Sequence, residues 1–98
     1  MRYEFDWDPA KAVSNLADHR VSFDEAMTVF VDPLALSIPD DDNRDIEERW
    51  VTIGVSRTAR LVVHTHAEIA TDTVYIRIIS ARGPTKTEVR HYEEGFDA

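Results

Sequence analysis

Two histidines, His64 and His66, stand two residues apart in the Val- and Thr-rich stretch Arg60 to Ala67, which favours a strand. At that spacing both imidazoles project from one face, as a metal pair or an acid–base pair would. The chain contains no cysteine, so a zinc site would need a third ligand from His19, His91 or an acid. Two half-exposed histidines holding no metal is the simpler reading, and no metal is expected. Arg77 is the second feature, set in Val74-Tyr75-Ile76-Arg77-Ile78-Ile79. A guanidinium among β-branched neighbours must reach solvent, an acid or a ligand. One reading is a structural pair with an acid such as Glu48; the other is phosphate binding on a concave sheet face. Arg49 and Arg82, at opposite ends of their strands, carry the same two readings and would cluster with Arg77 if the strands are neighbours.

Other arrangements are excluded. Asp40-Asp41-Asp42-Asn43 suggests calcium, but an EF-hand loop needs Gly at its sixth position, where this chain has Asp45. No Gly-rich phosphate loop, Ser-His-Asp order or Cys-His pair can be assembled, and no cofactor is expected. Cleavage of RNA by its own 2′-hydroxyl requires none of these. It needs a base near that oxygen, an acid near the leaving 5′-oxygen and cations on the phosphate, and His, Glu, Lys and Arg can divide those tasks.

The elements that would position these residues are readable from periodicity and caps. Tyr3 and Phe5 alternate with Glu4 and Asp6 in a short strand, Arg2 to Asp6. Asp8-Pro9 opens a helix to about His19, expected to bury Ala12, Val13, Leu16 and Ala17. Ser22-Phe23-Asp24-Glu25 reads as a capping box, with Val21 as its hydrophobic staple. Phe23, Ala26, Met27 and Phe30 follow as one helical stripe, and Asp32-Pro33 stops the helix. Leu34 to Ile38 is a candidate short strand, and Pro39 to Glu48 an acidic loop. Three strands follow, Arg49 to Ser56, Arg60 to Ala67 and Thr73 to Ala81, whose short links favour antiparallel pairing. Thr85 and Glu88 form a second capping box, opening a helix that ends near Glu94 with Gly95 beyond it. The expected fold is α+β, ordered β-α-α-(β)-β-β-β-α, with an antiparallel twisted sheet packed by helices.

The whole chain sets the bounds. Its 98 residues fit one domain, residues 1–98, and 43% hydrophobic with 31% charged residues supports a core. Met1 to Pro9 lacks the basic and apolar regions of a secretory signal, no apolar run is long enough to span a membrane, and the absence of cysteine fits the cytoplasm. The net charge of −8 argues against nucleic acid, but its distribution does not. Residues 1–48 hold 4 basic and 13 acidic residues, whereas 49–92 hold 7 basic against 3 acidic. An anionic ligand would meet the second half.

Phe5-Asp6-Trp7-Asp8-Pro9 with Lys11, Asn15 and His19, then Val21-Ser22-Phe23-Asp24-Glu25-Ala26, Val29-Phe30 and Asp32-Pro33, resembles the BrnT family of toxins. Glu48-Arg49, Ile53-Gly54, Ser56, Arg60-Leu61 and Arg77-Ile78-Ile79-Ser80-Ala81-Arg82 continue the resemblance over nearly the whole chain. It implies a RelE-like, metal-independent endoribonuclease of a type II toxin–antitoxin module that blocks translation by cleaving RNA. Neutralisation by a BrnA-type ribbon-helix-helix antitoxin is implied too, with DNA bound only through that partner and the pair forming a dimer of heterodimers. An inactive antitoxin-binding co-repressor is the alternative. The resemblance makes Lys11, His19, Glu48, Arg49, Arg77 and Arg82 the positions to test; together with the residues read above, the catalytic candidates are Glu48, Arg49, Arg77, His19 and His64, and the phosphate-binding ones Arg82, Lys11, Arg60 and Lys86. Two departures stand out: Arg20 occupies a position where the family usually has Gly, and the link from Ala67 to Asp72 is longer than usual.

Overall fold

The computed structural model describes residues 2–40 and 49–95. Strand β1 (Arg2–Trp7) leads into helices α1 (Pro9–His19) and α2 (Phe23–Met27), the latter continued by a 3-10 turn over Thr28–Val31. Strands β2 (Leu36–Pro39), β3 (Arg49–Val55), β4 (Arg60–Ile69) and β5 (Thr73–Arg82) follow, then helix α3 (Lys86–Glu94). The five strands form one sheet in the order β1-β5-β4-β3-β2. β2 to β5 pair antiparallel, as expected, but β1 lies parallel to β5, so the sheet is mixed. A hairpin cannot make a parallel pair; the long excursion through the helices and the meander returns the chain to β1 in the same direction.

Local chemistry explains each helix. Asp8 caps α1 by accepting from the Ala10 amide at 2.8 Å. The helix ends on Arg20, whose φ of 61° is left-handed, so this position adopts the backbone that a Gly would adopt without steric penalty. The face of α1 differs from the expectation: Val13 and Leu16 are 71% and 51% exposed, while Asn15 is buried. β1 ends at Trp7, opposite Ile78, and leaves the Ala81 backbone, paired to Val63 of β4 on one side, without a strand on the other. The Asn15 side chain fills that place, donating to the Ala81 and Val21 carbonyls at 2.9 Å and accepting from the Ala81 amide at 3.0 Å. Satisfying these buried groups fixes the helix's rotation.

In α2 the buried residues are Phe23, Ala26 and Val29 rather than the expected stripe with Met27 and Phe30, which lie at the rim. Tightening to a 3-10 turn at Thr28 stacks positions three apart, and this carries Val29 inward. Ser22 caps the helix through the Glu25 amide, but the Glu25 carboxylate accepts from the Thr58 amide and hydroxyl at 3.2 and 3.1 Å. Hydrogen bonding from Ser56 and Thr58 holds that carboxyl below its ordinary range, against some desolvation. Glu25 therefore ties α2 to the β3–β4 turn. In α3 the capping box is complete between Thr85 and Glu88.

The sheet has two unlike faces. On the first, α1, α2 and the 3-10 turn cover Leu61, Val63, Val74, Ile76, Ile78 and Ala81, joined by Phe5 and Trp7. Trp7 meets Phe23 edge-on at 5.8 Å. Gly54 lets the 3-10 turn approach: a Cβ there would stand 2.8 Å from Val29 and 3.1 Å from Ala35. On the second face α3 covers one end only, held by ion pairs from Arg60 to Glu93 and from Arg82 to Glu88 above the buried Ile53 and Val62. The Tyr92 hydroxyl completes the attachment by donating to Asp32 at 2.6 Å.

Candidate functional site

The part of the second face that α3 leaves uncovered carries the polar residues singled out above. Strand register sets Arg49 of β3 beside His66 of β4, His66 beside Arg77 of β5, and Arg77 beside Asp6 of β1. Paired residues share a face and adjacent strands lie about 4.8 Å apart, so Arg49 and Arg77 flank His66 with about 10 Å between their backbones. The next row toward α3 is Val51, His64 and Ser80, and Arg82 lies one row beyond. A β-bulge at His64/Thr65 leaves Ile79 as the extra residue on β5 and displaces the register between the two histidines. His64 and His66 thus share the open face, two residues apart.

Arg77 donates to Asp6 at 2.8 Å, with both side chains about half exposed. Arg82 makes a two-pronged pair with Glu88 at 2.8 and 2.9 Å and also donates to the Gly83 carbonyl. The Arg82 hydrogen bonds lower the Glu88 carboxyl to about 2, and Glu88 in turn raises Arg82. His64 Nδ1 lies 3.8 Å from an Asp40 carboxylate oxygen, an electrostatic contact longer than a hydrogen bond. Burial, followed by the nearby Arg82 charge, pushes the His64 imidazole below its usual value, and Asp40 only partly offsets this. At neutral pH His64 is an uncharged base. Asp32, at the far end of β3, is depressed despite desolvation by donors from Tyr92, Val55 and Leu34; it anchors α3.

The candidates from the sequence divide among several places. Arg49, Arg77, His64 and Arg82 come together on the second face. Arg60 lies on that face under α3, paired to Glu93 at 3.6 Å, and Lys86 stands exposed in the first turn of α3. Lys11 and His19 are exposed on α1, which packs against the opposite face, so they do not join the arginine row. Glu48 lies outside the described residues. The acid found on Arg77 is Asp6, which sequence reasoning did not select. His66 was visible only as half of a pair; its place between the arginines follows from hairpin register. Among the described residues no three His, Asp or Glu side chains converge as metal ligands would. Nor is any helix among them long and apolar enough to cross a membrane.

Comparison with known families identifies the kind of protein. The family described as ribonuclease toxin, BrnT, of type II toxin-antitoxin system matches residues 7–88. This chain belongs to the BrnT family. The match contains Arg49, His64, His66, Arg77 and Arg82 in full, and leaves Glu4 and Asp6 of β1 outside it. Membership in the BrnT family makes this a ribonuclease toxin with RNA as its substrate and an antitoxin as its partner. No curated protein matches the chain.

Proposed function

We propose that this BrnT member is a metal-independent endoribonuclease that cleaves RNA on the uncovered face of its sheet. The observation that carries the reading is the in-register row Arg49, His66 and Arg77 on the part of the sheet that no described helix covers, with Arg77 exposed and Arg49 and His66 partly buried. Two arginines on strands whose backbones lie about 10 Å apart bracket a space in which a phosphodiester can bind both, with His66 between them. His64, uncharged at neutral pH, takes the proton from the RNA 2′-hydroxyl. The 2′-oxygen then forms a bond to phosphorus as the bond to the 5′-oxygen breaks, and His66 gives that oxygen its proton. The two histidines project from β4 positions about 6.7 Å apart, the separation of consecutive same-face residues, a spacing suited to opposite sides of one phosphate. Arg49 and Arg77 stabilise the charge that develops on the non-bridging oxygens. Glu48, next to Arg49 in the chain, remains a candidate proton carrier. Arg82, already held by Glu88, sets the environment of His64.

The wider reading follows the family resemblance: inhibition of translation in the cytoplasm, a RelE-like fold, and neutralisation by a BrnA-type ribbon-helix-helix antitoxin. DNA would be contacted only through that antitoxin, in a dimer of heterodimers. One observation favours a second reading, an inactive antitoxin-binding co-repressor: Arg77 and Arg82 are each already paired with a carboxylate. The test is to induce this chain alone and map ends in total RNA. New 2′,3′-cyclic phosphate and 5′-hydroxyl ends, formed equally with a chelator present, are expected. Intact RNA together with tight antitoxin binding would favour the co-repressor, and cleavage abolished by the chelator would overturn the metal-independent mechanism.

A further inference from the structure

We infer that the tip of the β4–β5 hairpin is a nucleobase subsite that selects guanine beside the scissile phosphate. This inference rests on the reading of the open face as an RNA-binding surface. One row beyond Asp6, Arg77 and His66, the register aligns Glu4 of β1, Tyr75 of β5 and Glu68 of β4 on the same face. These six side chains line a single cavity of about 260 Å³. Tyr75 is 47% exposed, an aromatic ring offered to solvent beside the cationic row. The hairpin reaches this far because β4 continues to Ile69, past Arg49 at the start of β3, which pairs with His66. The longer link noted in the sequence is used to extend the two strands, with the turn confined to 70–72.

The charge order along the cavity orients a nucleotide. Glu4 and Glu68 at one end repel a phosphate, while at the other end Arg77, which also holds Asp6, and His66 offer it N–H donors. A nucleotide therefore lies with its phosphate toward Arg77 and its base over Tyr75, a displacement of about 6.7 Å that matches one two-residue step of a strand. Stacking on a tyrosine accepts any base. The flanking carboxylates do not, because a carboxylate only accepts hydrogen bonds. Guanine alone presents two adjacent donors on its Watson–Crick edge, the ring N1–H and the exocyclic amine, and so matches a carboxylate with two bonds. Adenine and cytosine place a ring acceptor beside the amine, and uracil places carbonyls on both sides of its single donor. Glu4 already meets Arg2 at 3.2 Å, whereas Glu68 makes no hydrogen bond or ion pair to another described residue. Glu68 is therefore the reader and Tyr75 the platform.

The test uses the four nucleoside 3′,5′-bisphosphates, which carry a phosphate on both the 3′ and the 5′ oxygen of the ribose, titrated into the purified chain by calorimetry. Guanosine bisphosphate should bind about tenfold more tightly than the other three. Glu68→Gln and Tyr75→Ala should each remove about that factor while leaving the thermal melt unchanged. Equal binding of all four, or a guanine preference that survives Glu68→Gln, would overturn the inference. So would tighter binding of an arginine-rich peptide that nucleotides cannot displace. Cleavage mapping separates this idea from the reading beneath it. Guanine-selective binding without RNA cleavage keeps the subsite and removes the catalysis; cleavage with no base preference does the reverse.

Discussion

Consecutive residues of β4 divide between two environments. Leu61, Val63 and Thr65 point to the helices and are at most 4% exposed, whereas His64 and His66 point to the other face and remain accessible. The same alternation separates Ile76 and Ile78 from Tyr75 and Arg77 on β5. One face is covered by α1 and α2 and filled with aliphatic and aromatic side chains; half of the other is covered by no described helix and carries guanidinium, imidazole and carboxylate groups. Hydrophobic burial accounts for the first arrangement. It cannot account for the second, where exposed ion pairs such as Arg77–Asp6 contribute about 1 kcal/mol or less. The difference teaches that the open row is held in place by the covered face and is not needed to stabilise it.

Substitutions on the covered face should therefore change stability, and those on the open face activity. The largest expected effect is on Phe23, which is 2% exposed and meets Trp7. Phe23→Ala should cost about 3–5 kcal/mol, read in chemical denaturation, and a loss under 1 kcal/mol would break the comparison. Asn15→Ala leaves the Ala81 amide and two carbonyls without their partner. It should cost about 2–3 kcal/mol, or roughly 10 °C or more in melting temperature for a domain of this size.

Glu88→Gln tests the boundary between the covered and uncovered parts of the second face. The Glu88 carboxyl is lowered to about 2 in the fold from an ordinary 4.5, so its stabilisation is complete above 4.5 and disappears as pH falls toward 2. After allowance for solvent screening it is on the order of 1–2 kcal/mol. Melting curves of Glu88→Gln and the parent chain should differ at pH 7, and the gap should narrow from pH 4.5 downward, closing only below about 2; a gap that does not narrow between pH 4.5 and 2.5 would assign the loss to packing of α3. The smallest effect concerns His64. Its lowered value keeps it an active base as pH drops below the ordinary 6.5, so the acid limb of the cleavage rate should have its midpoint under 6.5. Asp40→Asn removes an interaction that raises His64 and should move that midpoint lower still. A midpoint above 6.5 would exclude His64 as the base.

Caps and alternation made most of the elements legible. Asp8, Ser22 and Thr85 all cap helices where the sequence indicates, and the strands begin within a residue or two of their predicted starts. What could not be read depends on contacts distant in the chain. The rotation of α1 is set by Asn15 against Ala81, 66 residues away, which no helical periodicity contains. The parallel placement of β1 likewise brings Asp6 to Arg77 across 71 residues. The arginine row was half visible: Arg49, Arg77 and His64 were identifiable as types, but His66 joins the arginines only once the β4–β5 turn is fixed at residues 70–72. The bulge then displaces every pair beyond it. Lys11 and His19 were selected by resemblance, which carries no information about which face a helix covers.

The central claim is that the uncovered row acts on RNA and contributes little to folding, and Arg77→Ala tests it most directly. Cleavage of a defined RNA and thermal melting should be measured on the same preparation. The account predicts a rate at least about 100-fold lower with the melting temperature within a few degrees of the parent, since the lost Asp6 pair is solvent-exposed. An unchanged cleavage rate would contradict it, as would a fall in melting temperature comparable to that expected for Asn15→Ala.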